Sequence, residues 1–353
     1  MKKIVLTGGG TAGHVTPQLA LIPRLKELGY DIHYIGSRQG IEKSLMAQQP
    51  VTYHAIKTGK LRRYFDWKNF TDPFLVIAGA FASLRLMRQI KPDVCFSKGG
   101  FVAVPVVIAA RMKKVPVLAH ESDLTPGLAN RISAKFSKKV ATTFPECAKT
   151  LGQKGIFTGT PLRPELFSGS REKGLKLAGF DGAKPVLMMM GGSQGAQSLN
   201  KVLREALPQL LPQFDVLHLC GKGNITQELT ETRGYFQAEF LDSPLPDALA
   251  CADFVLSRAG SNALYEFAAL GKPMLLVPIP LSASRGDQIL NAKSFEERGL
   301  AQVLLQEDLS ATSLSAAIKR LQTDAAMLRR NLMNAPAADG TDKVIELIGL
   351  IQN

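Results

Sequence analysis

A membrane-spanning helix needs roughly 18 consecutive apolar residues, and this 353-residue chain has no run of that length. Its longest apolar stretches, residues 74–82 and 101–110, are about half as long. The basic opening Met1-Lys2-Lys3 leads into a short apolar stretch that Gly8-Gly9-Gly10 interrupts, too short for the centre of a secretory signal. Both absences point to the cytoplasm. Cysteine is scarce: Cys95, Cys147, Cys220 and Cys251 are far apart, form no Cys-x-x-Cys pair and sit in or near apolar stretches. Buried reduced thiols are expected, not disulfides, metal ligands or nucleophiles. Zinc-finger spacing, an RNA-binding aromatic motif and a long basic tail are all missing, so nucleic acid is not expected as a partner. No Asp-x-Asp and no His/Cys/Asp cluster at metal-ligand spacing occurs, so no obligatory metal or other cofactor is expected.

Charge is plentiful and unevenly placed. Residues 1–163 carry 25 Lys and Arg against 9 Asp and Glu, and the rest of the chain carries 18 against 21, within a net charge of +13. A neutral half joined to a strongly basic half implies that one half meets something anionic, such as a phosphorylated substrate or a membrane surface.

The two halves open alike. Ile4-Val5-Leu6-Thr7 reads as a buried parallel strand, followed by Gly8-Gly9-Gly10-Thr11-Ala12-Gly13-His14 and then by Leu19, Ile22, Leu25 and Leu28 at helical spacing before Gly29. Strands are expected at 31–35, 94–97, 115–119 and 139–142. The pattern restarts with a strand at 186–190, the loop Gly191-Gly192-Ser193-Gln194-Gly195 and a helix through Leu199, Val202 and Leu203. Strands at 216–219, 254–257 and 274–277 continue it. Gly159-Thr160-Pro161-Leu162-Arg163-Pro164 suits the join. The fold class is α/β with two doubly wound, Rossmann-like domains, 1–163 and 164–340, whose ligands are expected at the strands' carboxyl ends in a cleft between them.

Gly8-x-Gly10-x-x-Gly13 formally fits the dinucleotide fingerprint. The acidic residue that a nicotinamide ribose wants after the second strand is absent; Ile35-Gly36-Ser37-Arg38 stands there, and Arg38 leaves an NADP enzyme open. The second loop is not a Walker loop, because no Gly-Lys-Ser/Thr ending follows. Two phosphate-type loops, one per half, fit a reaction between two phosphorylated molecules. Ser193 adds a hydroxyl donor to the second.

Six motifs then occur in order: Gly8 to His14; Lys98-Gly99-Gly100-Phe101; His120-Glu121-Ser122-Asp123; Gly191 to Ala196; Ser257-Arg258-Ala259-Gly260; and Asp287-Gln288-Ile289-Leu290-Asn291-Ala292. Together they resemble the MurG family of UDP-N-acetylglucosamine:undecaprenyl-diphospho-muramyl-pentapeptide transferases, over nearly the whole chain. The resemblance implies the two-domain GT-B fold, with a last helix near 341–353 packed back on the first domain. It implies transfer of N-acetylglucosamine from UDP-N-acetylglucosamine to a lipid-linked muramyl-pentapeptide, with UDP-sugar contacts from Ser193, Arg163, Leu241, Gln288 and the run Ser261, Asn262, Ala263, Leu264, Tyr265 and Glu266. Glu266 would accept both ribose hydroxyls. Gly10, Thr11, Ala12 and Gly13 would hold the acceptor diphosphate or close over the donor. His14 would act as the base on the acceptor C4 hydroxyl, with Glu121 its rival. The family often has Asn where this chain has Asp123, and Asn130 is a substitute candidate for that sugar contact. Other acceptors, such as a diacylglycerol, and a non-catalytic nucleotide-binding module stay open.

A lipid acceptor requires a membrane. Lys57, Lys60, Arg62, Arg63 and Lys68 surround Leu61, Tyr64, Phe65, Trp67 and Phe70; Phe74, Ile77, Phe81 and Leu84 then recur at helical spacing, followed by Arg85, Arg88 and Lys91. Residues 57–91 are therefore expected to dock peripherally on the anionic cytoplasmic face of the cell membrane.

Overall fold

The computed structural model describes residues 1–58, 68–192, 196–335 and 339–352, and their side chains except at 68–76. The chain divides into two compact units, Met1–Arg163 with Asp339–Asn353, and Pro164–Ala338.

The first unit holds seven parallel strands: β1 (Lys3–Thr7), β2 (Asp31–Ser37), β3 (Thr52–Ile56), β4 (Val94–Ser97), β5 (Val117–Glu121), β6 (Lys139–Thr142) and β7 (Gly155–Phe157). They lie in the order β3-β2-β1-β4-β5-β6-β7. The second unit holds β8 (Val186–Met190), β9 (Asp215–Leu219), β10 (Tyr235–Ala238), β11 (Phe254–Ser257), β12 (Met274–Leu276) and β13 (Gln302–Val303), in the order β10-β9-β8-β11-β12-β13. Both sheets thus turn back at their first strand, the doubly wound topology whose crevice lies at the carboxyl ends of the strands beside that first strand.

Burial explains the patterning. β1, β4, β5, β8, β9 and β11 are covered on both faces, so they read as unbroken apolar runs rather than as alternation. β5 begins two residues later than the apolar run suggests. Pro116 has no N–H to donate to a sheet ladder, and its carbonyl instead accepts from Cys95 N–H (2.9 Å). All four cysteines are buried free thiols.

The helix Thr341–Leu350 belongs to the first unit. Val344, Leu347, Ile348 and Ile351 join the core made by β1, β2, β4 and the helix Thr16–Glu27. Lys138 Nζ donates to the Ile351 carbonyl (3.1 Å), and Gln352 Nε2 to the Tyr30 hydroxyl. Leu162 N–H donates to Thr341 Oγ1 (3.2 Å), which ties the returning segment to residues just before the unit boundary.

Candidate active site

In the first unit, the loop after β1 is braced from below by buried polar side chains. Tyr34 hydroxyl donates to the Gly8 carbonyl (2.7 Å), and Gln18 Nε2 donates to the His14 carbonyl (2.8 Å). The fully buried Glu42 accepts from Gly10 N–H (3.2 Å), Ser37 N–H (3.0 Å) and the Ser37 hydroxyl (2.5 Å). A Cβ on Gly9 would stand 2.6 Å from the Glu42 carboxyl carbon, and Gly10 has φ +90°. The glycines of this loop therefore have a packing reason: they leave room for a carboxylate and let the chain turn over it.

Thr11 and Ala12–His14, a single 3-10 turn, carry the loop into the helix Thr16–Glu27. His14 Nδ1 lies 3.1 Å from the Lys98 carbonyl oxygen. That oxygen only accepts, so Nδ1 carries the proton of the neutral ring and the lone pair sits on Nε2. His14, Gly10, Thr11, Gly100 and Phe101 share one cavity of about 880 Å³, whose described lining residues all belong to the first unit. Arg38 and Lys57 line its other side. Lys57, read from the sequence with the membrane stretch, thus opens into this cavity.

Behind His14 is a second buried cluster. Lys98, fully buried at the end of β4, donates through Nζ to the Ser122 hydroxyl. Burial lowers its pKa to about 8, while Glu121 and Asp123 oppose the shift. Glu121 ends β5 and is almost completely buried, and its carboxylate accepts from Asp123 N–H (2.9 Å), Gly127 N–H (3.2 Å) and Asn130 Nδ2 (2.8 Å). Burial, with Asp123 repulsion second, raises its pKa to about 7. Asn130 also donates to the His120 carbonyl (3.3 Å) and packs where a Cβ on Gly99 would fall. Glu121 and Asn130 are thus committed to shaping the 121–127 loop that carries Asp123. Lys98, Ser122 and Glu42 drew no role from the sequence. For Lys98 the only hint was a charged residue standing where an apolar strand gives way to glycine, and Glu42, on a short and mostly exposed helix, gave none.

In the second unit, the helix Ser261–Ala269 starts just beyond β11, with Gly260 as its N-cap. Its first-turn amides aim past the strand ends, as in any helix N-terminus that receives an anion. Within Ser261 to Glu266, Leu264 and Tyr265 are core residues. Leu264 N–H donates to the Gly260 carbonyl (3.1 Å), and the Tyr265 ring meets Phe295 edge-on at 5.4 Å. Asn262, Ala263 and Glu266 are half-buried. Gln288, in the first turn of the helix Asp287–Glu297, accepts through Oε1 from Ala259 N–H (3.2 Å) and Ile279 N–H (3.3 Å). This fixes its amide plane and leaves Nε2 as its donor end. Arg258 ties these loops together, donating to the Val277 carbonyl (3.0 Å) and the Ser198 hydroxyl (2.9 Å). Leu241 is half-buried beyond β10, Arg163 ends the first unit's main segment, and Ser193 lies outside the described residues. Among the described residues, no group of three His, Cys, Asp or Glu is placed to hold a metal.

The sequence matches the model of the glycosyltransferase family 28 N-terminal domain over residues 4–142 and that of its C-terminal domain over residues 186–347. The chain belongs to glycosyltransferase family 28. Among family relatives, the UDP-N-acetylglucosamine--N-acetylmuramyl-(pentapeptide) pyrophosphoryl-undecaprenol N-acetylglucosamine transferase of Clostridium tetani is 51% identical over 98% of this chain and 97% of that protein. The enzyme with that description and the number 3 from Bacillus thuringiensis is 56% identical over 91% of this chain and 92% of its own length. The crystal structure of Acinetobacter baumannii MurG superposes with a TM-score of 0.80 at 25% identity, covering 99% of this chain and all of that one. The family 28 assignment accounts for the paired doubly wound units and for the position of both glycine loops at strand carboxyl ends.

Proposed function

We propose that this chain transfers N-acetylglucosamine from UDP-N-acetylglucosamine to the C4 hydroxyl of an undecaprenyl-diphospho-N-acetylmuramyl-pentapeptide, a step of peptidoglycan synthesis. The observation that carries the reading is identity of 51–56% along almost the whole chain to transferases of that name.

His14 is the proposed base. Its Nδ1–H is held by the Lys98 carbonyl, so Nε2 takes the C4 hydroxyl proton as that oxygen attacks the anomeric carbon. The bond from the anomeric carbon to the UDP oxygen breaks in the same displacement, UDP leaves with the electron pair, and the configuration inverts. Charge developing on the diphosphate is met by the first-turn amides of the helix Ser261–Ala269 and by the loop beyond β8. Gln288 donates through Nε2 to a sugar hydroxyl, Glu266 accepts from the ribose, Leu241 offers backbone groups to uracil, and Arg163 reaches the donor. Glu121 and Asn130 set the position of Asp123 rather than move a proton. No obligatory metal takes part; turnover abolished by EDTA and restored only by Mg²⁺ would refute that.

No described helix is long and apolar enough to cross a membrane. On the helix Lys68–Ile90, Ile77 and Phe81 are 53% and 69% exposed and are followed on the same face by exposed Arg85 and Arg88, while Met87 and Ile90 are buried. This apolar-then-basic face supports peripheral docking on the cytoplasmic, anionic side of the membrane. The aromatic and basic residues at 60–67, with the side chains of Lys68, Phe70 and Phe74, lie outside the described residues.

The deciding assay is transfer of labelled sugar from UDP-N-acetylglucosamine to a lipid-linked muramyl-pentapeptide analogue, with UDP-glucose as control. His14→Ala is expected to lower kcat by about 10²–10⁴ while UDP binding persists. Equal transfer from both donors, or none at all, would refute the substrate assignment.

A further inference from the structure

The cavity of the first unit has room for a phosphorylated sugar, since ligand sites occupy about 300–1,000 Å³. Its polarity is lopsided. Among the described residues, Arg38 and Lys57 line it, and no Asp or Glu does. The two cations stand side by side: Ser37 on β2 and Ile56 on β3 are parallel register partners, so Arg38 and Lys57 are the next residues of strands about 4.8 Å apart. Thr11 and Thr58 add hydroxyls, while that of Ser37 is given to Glu42. His14 and Phe101 close the far side.

The glycine loop is a poorer place for an anion than its composition suggests. Gly10 N–H already donates to Glu42, and His14 N–H donates to the Thr11 carbonyl (3.2 Å). A phosphate laid against Gly9 and Gly10 would face the Glu42 carboxylate directly behind them.

Granting the acceptor reading above, we propose that the anionic group of the acceptor is received by Arg38 and Lys57, across the cavity from His14, and not by the glycine loop. The glycine loop instead positions His14, and Glu42 is the residue that holds the loop in place. The ligand is a phosphate- or carboxylate-class anion. In this acceptor it is the diphosphate or a carboxylate of the peptide stem.

Both cations are exposed, so Arg38→Gln and Lys57→Gln should fold. The expected result is an acceptor KM raised about tenfold by each and more by the pair, the loss of one charge-assisted contact apiece. The KM for UDP-N-acetylglucosamine and kcat should stay within about twofold. An acceptor lacking the peptide stem separates the two anions: a penalty that persists assigns the diphosphate, and one that disappears assigns a stem carboxylate. Lys26→Gln, an exposed cation on the helix Thr16–Glu27, controls for general loss of charge. An unchanged acceptor KM in the double variant, or an equal rise in Lys26→Gln, would overturn the proposal. Calorimetry with inorganic diphosphate, in the presence of saturating UDP, needs no turnover and so judges the subsite even if the acceptor assignment fails. Weaker binding by the double variant supports the subsite, and equal binding overturns it.

Discussion

Glu42→Gln isolates the contact on which the first glycine loop rests. The wild-type carboxylate accepts three hydrogen bonds, two through Oε1 from Ser37 and one through Oε2 from Gly10 N–H. Glutamine keeps one acceptor oxygen, which the two Ser37 donors claim, and its NH₂ then faces the Gly10 N–H donor to donor. A partly buried backbone N–H left without an acceptor costs about 1–3 kcal/mol. Part of this is offset, because a neutral amide is cheaper to bury than a carboxylate. The expected net loss is about 1–2 kcal/mol, centred on the first unit. Urea unfolding gives the size of the loss, and hydrogen exchange of peptides covering residues 8–14 gives its location. Activity should fall through the displaced His14, with UDP binding unchanged. If the unfolding midpoint and the exchange of residues 8–14 both match wild type, the claim that Glu42 holds the loop is wrong.

Three further outcomes are expected. Gly100 has φ +82°, and a Cβ there would collide with the Gly9 carbonyl oxygen, so Gly100→Ala should destabilise the first unit by more than about 1 kcal/mol in thermal or urea unfolding. Lys98→Met should change the pH dependence of stability in two windows. Glu121 has its pKa raised from 4.5 to about 7, so its contribution is full below 4.5 and lost as pH rises through 7; removing the Lys98 charge, which holds that pKa down, prolongs the loss. Lys98 itself is lowered from 10.5 to about 8, so wild-type stability gains between pH 8 and 10.5, and the variant should lack that gain. In the second unit, His218 Nε2–H donates to Asn200 Oδ1 (3.0 Å) and Asn200 Nδ2 to the Cys220 carbonyl (2.7 Å). Asn200→Leu orphans both and should cost about 2–4 kcal/mol by urea unfolding. Burial, with Arg204 second, lowers the His218 pKa to about 3, so wild-type stability from this neutral ring should be lost as pH falls from 6.5 toward 3.

The sequence by itself determined every interior strand and the two glycine-loop openings. Nine strands, β1, β2, β4, β5, β6, β8, β9, β11 and β12, were expected from the sequence, and β1, β4, β5, β8, β9 and β11 read as unbroken apolar runs because a parallel strand flanked on both sides is covered by helices above and below. The four that carried no such signal, β3, β7, β10 and β13, are the four sheet edges. Thr52–Ile56 buries only Ile56 among exposed and half-buried residues, Gly155–Phe157 is only half-buried, and Gln302–Val303 is two residues long. Edge strands have one neighbour and mixed surroundings, so their composition resembles that of loops. The site divides along the same line. His14 stood out beside the first glycine loop, while Glu121 and Gln288 were named only through the resemblance of their motifs to a known family. Their division of labour was not legible, because it depends on bonds between residues far apart in sequence. The Lys98 carbonyl places the His14 proton across 84 positions, Asn130 and the 123–127 backbone occupy Glu121, and Glu42 reaches 32 residues back to Gly10. Spacing along the chain states which residues can lie near a strand end, and only the packed structure decides which lone pairs and protons are already spoken for there.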